Sequence, residues 1–172
     1  IRYALERHRL TSALRSLSLI DDLTGLYNRR GFFDLGEQHL KLARRSGRSV
    51  LLVYLDVDRM KTINDTLGHQ VGDRALLRVA DLLRDTFRQS DIIARIGGDE
   101  FAVLALEAVE ENEADLLERL EAKATELNQR SREPYRLSLS AGTARFDGEG
   151  RARLEDLLAG ADAAMYREKR GR

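Results

Sequence analysis

The sequence has no cysteine, no tryptophan and a single proline, Pro134, and it has no excess of either charge: 29 Lys and Arg balance 29 Asp and Glu over 172 residues. The lack of cysteine excludes disulfides, thiolate metal sites and a cysteine nucleophile, and leaves the redox compartment open. A net charge of zero argues against a general polyanion binder, so no nucleic-acid partner is expected, although a local basic site remains compatible. No run of about 18 apolar residues occurs, so no helical membrane span and no membrane contact are expected. The three histidines, His8, His39 and His69, have no ligand spacing, which argues against zinc. Phosphate-loop, dinucleotide-fingerprint and nucleophile-elbow glycine patterns are all missing. The chain opens at Ile1 with no leader-like stretch. The expectation is a piece of a longer chain lying in the cytoplasm.

What is present suits one α/β domain with a sizeable core: 42% of residues are hydrophobic and 34% charged. Residues 1–20 read as a charged helix with Tyr3, Leu10 and Leu17 at sevenfold spacing, the end of a stalk or a helix packed on its own domain. A helix is predicted from an Asn28 cap to about Arg45. The near-continuous apolar run Val50–Val57 follows, typical of a strand buried on both faces. A short helix from Met60 to Leu67, stopped at Gly68, and an amphipathic helix over about 70–87 come next. Two apolar runs, Ile92–Ala94 and Phe101–Leu106, flank a glycine turn and predict a hairpin. The rest reads as a helix over 110–130, a strand from Tyr135 to Ala144 and a helix over 153–169. This order predicts a sandwich in which helices cover both faces of a central sheet with an antiparallel hairpin.

Two places carry more charge than their surroundings warrant. Asp56 and Asp58 end the most apolar strand, where ligands of α/β sheets commonly lie. Asp99 and Glu100 stand side by side after Gly97-Gly98 in the hairpin turn. Adjacent carboxylates repel unless a cation or solvent relieves them. Carboxylates converging from two segments without histidine suit a hard cation, magnesium best, shared with substrate phosphates. A solvated turn and a helix cap account for the same residues. Lys61 follows the acidic strand end, where it could neutralise phosphate. Asn64 and Asp73 together offer the donors and acceptors a purine edge needs, though caps and turns also use them.

Taken together, several segments resemble the GGDEF family of diguanylate cyclases. The matching residues are Asp22-Leu23-Thr24-Gly25-Leu26, Asn28-Arg29-Arg30, Asp56-Val57-Asp58, Lys61, Ile63-Asn64-Asp65, Gly68-His69, Gly72-Asp73, the signature Arg95-Ile96-Gly97-Gly98-Asp99-Glu100-Phe101, Ser140-Ala141-Gly142 and Ala161-Asp162-Ala163-Ala164-Met165-Tyr166. They run in order from about residue 19 to the end. Met60 stands where the family often has an aromatic. Arg172, at the chain's end, is one residue out of step with the family's closing pattern.

The resemblance implies a nucleotidyl-cyclase or polymerase-palm-like fold with a five-stranded sheet, a helical stalk over 1–20 and a catalytic domain over 21–172. It implies condensation of two GTP into cyclic di-GMP and two pyrophosphates across a two-fold homodimer. Two Mg2+ per active site, with Mn2+ as a substitute, would be held by Asp56, the Val57 carbonyl and Asp99. Asp99 would also take the attacking hydroxyl's proton, Glu100 would support the metal and ribose end, and Lys61 would stabilise phosphate charge. Asn64, His69 and Asp73 would lie at the nucleoside and Lys169 at the phosphates. Arg88 and Asp91, at the family's R-x-x-D offset, with Arg119, would form a product-inhibition site for cyclic di-GMP. An upstream sensory domain is implied as partner. The alternatives are a GTP or cyclic di-GMP receptor module without turnover, and a single-nucleotide or polymerase-like cyclase.

Overall fold

The computed structural model describes residues 18–106 and 112–171. The stalk expected over residues 1–20 lies outside them except for its last three residues, and so does Arg172. The elements are α1 (Arg29–Ser46), β1 (Val50–Val57), α2 (Met60–Leu67), α3 (His69–Thr86), β2 (Ile92–Arg95), β3 (Glu100–Leu106), α4 (Glu113–Arg130), β4 (Leu139–Phe146) and α5 (Leu154–Gly171).

Local chemistry explains most of these boundaries. The Asn28 side chain accepts from the Gly31 N–H and caps α1, and Gly47 ends that helix in the left-handed region (φ 63°). Gly68 (φ 89°) both ends α2 and begins α3, so the two helices meet at a corner. Arg59, the one non-glycine residue with positive φ among those described, lets β1 turn into α2 within two residues. Asn112 caps α4 by accepting from the Ala114 N–H, so this helix begins at Glu113 rather than at 110.

The sheet has the order β2-β3-β1-β4, and every pairing between named strands is antiparallel. It thus has four strands among the described residues, not the five that the resemblance implied. Tyr27 adds to the β2 edge only as an isolated bridge to Ala94. The last strand begins at Leu139, not at Tyr135. Asn128 on α4 accepts from the Leu137 N–H (2.8 Å) and donates to its carbonyl (2.7 Å), which removes both groups from any ladder.

β1 lies between β3 and β4, and its residues alternate between two cores. Leu51, Val53, Leu55 and Val57 join the side chains of α2, α3 and α4 on one face. Val50, Leu52 and Tyr54 join α1 and α5 on the other. The sequence therefore sends Tyr54 and Asp56 to the α5 face, two residues apart. Gly142, opposite Tyr54 in the register, lets α5 pack directly on β4. A Cβ there would lie 2.2 Å from both the Ala161 carbonyl oxygen and the Met165 nitrogen. Among the described residues no helix is long and apolar enough to cross a membrane.

Candidate active site

Strand register brings the acidic residues together. Asp56 pairs with Glu100, and the Val57 N–H donates to the Asp99 carbonyl at 3.0 Å. Asp56, Val57, Asp99 and Glu100 thus converge at one end of the two central strands, although more than forty residues separate the two pairs in the chain.

The turn between β2 and β3 is braced from below and open above. The N–H groups of Ile96 and Gly97 both donate to the Glu100 carbonyl, at 2.9 and 3.2 Å. Arg95 donates through Nε and Nη2 to the Gly98 carbonyl, at 3.1 and 2.8 Å, and through Nη1 to the Asp21 carboxylate at 3.3 Å. Asp21 also accepts from the Thr24 N–H and hydroxyl. The Asp21–Leu26 turn therefore holds the signature turn in place. A Cβ on Gly98 would meet nothing within 4 Å, whereas one on Gly97 would fall 2.1 Å from Glu100 Oε2. Gly97 leaves room for the Glu100 carboxylate, which folds back beneath the turn.

There Glu100 finds a partner that the sequence alone does not reveal. The Tyr54 hydroxyl donates to Glu100 Oε1 at 2.6 Å. Tyr54 faces Ala102 in the register, so Glu100 is its diagonal neighbour, within reach of a long side chain over a small one. Burial, with the Glu100 carboxylate beside it, pushes the Tyr54 hydroxyl well above its ordinary value. It stays a donor, and a hydrogen bond to a charged group of this kind contributes about 1.5–3 kcal/mol. Period-two alternation along β1 was the available signal, since Tyr54 and Asp56 share a face.

Asp56 has a cationic partner from the far end of the chain. Lys169 on α5 places Nζ 2.5 Å from Asp56 Oδ1 and 3.5 Å from Asp58 Oδ1. Partial burial pulls the Lys169 ammonium down, but Asp56 and then Asp58 outweigh it and raise it above its usual value. Asp58 accepts from the hydroxyls of Ser138 and Ser140, each at 2.7 Å. Burial pushes the Asp58 carboxyl up, but Ser140, Ser138 and Lys169 together hold it below the ordinary 3.8.

A lowered carboxylate contributes stability above its unfolded value and loses it as pH falls through its folded value. Denaturant midpoints are therefore expected to drop as pH goes below about 4. Asp58→Asn is expected to be less stable than the parent at pH 7 and to lose less on acidification. Equal acid sensitivity in the two proteins would contradict this assignment.

The other expected site residues form two further groups. At the α2–α3 corner Asn64 is half-buried, while Lys61, His69 and Asp73 are exposed. A Cβ on Gly72 would lie 1.9 Å from Asn64 Oδ1 and 2.8 Å from Met60 Cε, so Gly72 makes room for the Asn64 amide beside Asp73. Met60 itself is a buried part of this corner. In the α3–β2 turn, the Asp91 carboxylate accepts from the Arg88 N–H (2.8 Å) and the Leu106 N–H (3.0 Å), which fixes the turn. The Arg88 side chain is exposed. Arg119 on α4 donates to the Thr86 carbonyl at 3.5 Å, beside that turn.

Among the described residues no three His, Asp or Glu side chains form a ready-made metal cluster. The donor set of Asp56, the Val57 carbonyl and Asp99 nevertheless fits a hard cation completed by substrate oxygens. A cation, the Lys169 ammonium, already sits on Asp56.

Acidic strand ends under an open glycine turn, with a lysine reaching in from an adjoining helix, are what a site for metal and phosphate would need. The profile of the diguanylate cyclase GGDEF domain matches residues 18–172. The chain is 42% identical over 162 residues to the bifunctional diguanylate cyclase/cyclic di-GMP phosphodiesterase MucR of Pseudomonas aeruginosa, covering 94% of this chain and 23% of that protein. It is 41% identical over 157 residues to the diguanylate cyclase DgcP of the same species, covering 91% and 23%. The crystal structure of the coiled coil and GGDEF domain of DgcB from Caulobacter crescentus, in complex with c-di-GMP, superposes with a TM-score of 0.77 at 30% identity, covering 99% of this chain and 92% of that one. The chain belongs to the GGDEF domain family of diguanylate cyclases. It spans about a quarter of the length of these two curated relatives.

Proposed function

We propose that this domain condenses two GTP molecules into cyclic di-GMP with release of two pyrophosphates. The observation that carries the reading is the register that sets Asp56 against Glu100 and ties Val57 to Asp99 at the open end of the sheet. The diguanylate cyclase relatives support it.

Asp56, the Val57 carbonyl and Asp99 would hold the metal, two Mg2+ per site, with Mn2+ as a substitute. Bound metal would polarise the α-phosphate and make the attacking hydroxyl a stronger acid, easing loss of its proton. Asp99 would accept the 3′-hydroxyl proton. Glu100, steadied by Tyr54, would set the ribose end of the site. Lys61 and Lys169 would meet phosphate oxygens. Asn64 and Asp73 would read the guanine edge beside His69. One domain holds one GTP in this reading, so two copies face each other across a two-fold axis, each hydroxyl reaching the other's α-phosphate. Residues 1–20 would act as a stalk setting that approach, under an upstream sensory domain. Arg88, Asp91 and Arg119 would bind cyclic di-GMP and restrain turnover, so Arg88→Ala is expected to abolish product inhibition and leave the initial rate intact.

Incubation with GTP and Mg2+ followed by mass analysis tests the reaction. Cyclic di-GMP supports the reading. No product from a folded dimer would point to a receptor module, and cyclic guanosine 3′,5′-monophosphate would point to a single-nucleotide cyclase.

Gly72→Ala tests the base site. Its Cβ would displace the Asn64 amide, and loss of one such hydrogen bond is worth about five- to tenfold in binding. The KM for GTP is expected to rise by that factor with kcat changed less, and an unchanged KM would remove Asn64 from the base site.

A further inference from the structure

We propose that Lys169 is the resting counter-cation of Asp56, so that a bare divalent ion must compete with it for the metal seat and binds better once an anionic triphosphate draws the ammonium away. The proposal rests on the reading of Asp56 as a metal ligand.

Lys169 Nζ lies 2.5 Å from Asp56 Oδ1, and the two side chains are only 35% and 20% exposed. The lysine is delivered by a helix held tightly against β4. Ala161 and Met165 of α5 touch the Gly142 backbone, and Lys169 lies one turn beyond Met165. A divalent ion binding the same carboxylate oxygen at about 2.1 Å would sit within about 4.6 Å of that ammonium. Like charges at this separation in a half-buried site repel strongly. Ion and ammonium therefore compete for Asp56.

Among the described residues, Asp58 is the one other carboxylate paired with this ammonium. Asp58 is within 3.5 Å, but its two oxygens already accept from Ser138 and Ser140 at 2.7 Å each. A triphosphate arriving with the ion offers fresh anionic oxygens. Metal and nucleotide then assist each other's binding, a coupling that is reciprocal by linkage. Lys169 thus does more than bind phosphate: it couples the binding of metal and nucleotide.

The test uses Mn2+ alone, without nucleotide, titrated against the full chain with free ion followed by electron paramagnetic resonance. Lys169→Met is expected to bind Mn2+ roughly two- to fivefold more tightly than the parent, in line with loss of one partly exposed ion pair. Lys169→Gln should reproduce the gain, and Lys169→Arg should stay within about twofold of the parent because the charge remains. Adding Asp56→Asn to Lys169→Met should abolish the gain. If Lys169→Met and Lys169→Gln bind Mn2+ no more tightly than the parent, the ammonium does not compete for the seat and the proposal falls while the Asp56 reading stands. If the gain survives Asp56→Asn, Asp56 is not the seat and both fall.

Discussion

Asp99→Asn is expected to lower the rate of cyclic di-GMP formation at least about 10²–10³-fold while leaving the fold intact. The asymmetry comes from how this residue is used. Its backbone carbonyl, which a side-chain change does not touch, accepts from the Val57 N–H and joins the turn to β1. Its carboxylate is half-exposed at the open tip and contributes little to the core. An amide there would keep the shape of the side chain but lose the negative charge and the capacity to accept a proton. Asp56→Asn should reduce the rate comparably, with one difference: it also releases Lys169 from its ion pair. Raising Mn2+ should recover part of the loss in both variants if they are defective in holding metal. Initial rates across a metal titration, with thermal midpoints measured alongside, check this. A variant within about tenfold of the parent rate would take Asp99 out of the chemistry.

Gly142→Ala is expected to give the second large effect, on stability. The added Cβ would meet the Ala161 carbonyl oxygen and the Met165 nitrogen at 2.2 Å and the Met165 Cα at 2.8 Å, all backbone atoms that no rotamer change can move. The helix must lift off the strand, and overpacking of this kind costs about 1–3 kcal/mol, or roughly 3–10 °C in thermal midpoint for a chain of this size. The shift should also reach the site, because the helix that lifts is the one carrying Lys169. The internal control is Gly160→Ala on the same helix, whose Cβ would make an ordinary contact of 3.5 Å with the Ala144 Cβ. It should be neutral or slightly stabilising, since alanine favours a helix by up to about 1 kcal/mol over glycine. Equal midpoints for the two alanine variants would show that the close approach at Gly142 is unimportant.

These two positions also mark how far the sequence could be read. Val50–Val57 and Met60–Leu67 were legible to the residue, because an apolar run ends in acids and a helix ends at Gly68. The hairpin and its tip were legible for the same local reason. The start of β4 was not, since it is decided by Asn128, nine positions from Leu137, taking both of that residue's backbone groups. The strand count departed from the resemblance: the described residues form a four-stranded sheet, and Tyr27 adds only isolated bridges. Tyr54 went unread as a site residue because its role depends on the β1–β3 register that places Glu100 diagonally across from it. Lys169 was assigned to phosphate by resemblance, but its contact with Asp56 spans 113 positions and depends on the glycine that lets α5 approach. The charged residues could be found by local pattern. Their partners could not, because packing between distant elements chooses them.

The central claim, that this site joins two GTP through their α-phosphates, is tested most directly by phosphorus NMR of a reaction containing the chain, GTP and Mg2+. One pyrophosphate is expected for each GTP consumed and one cyclic di-GMP for every two, with no GDP. Appearance of GDP and inorganic phosphate, or of a monomeric cyclic nucleotide in place of cyclic di-GMP, would contradict it.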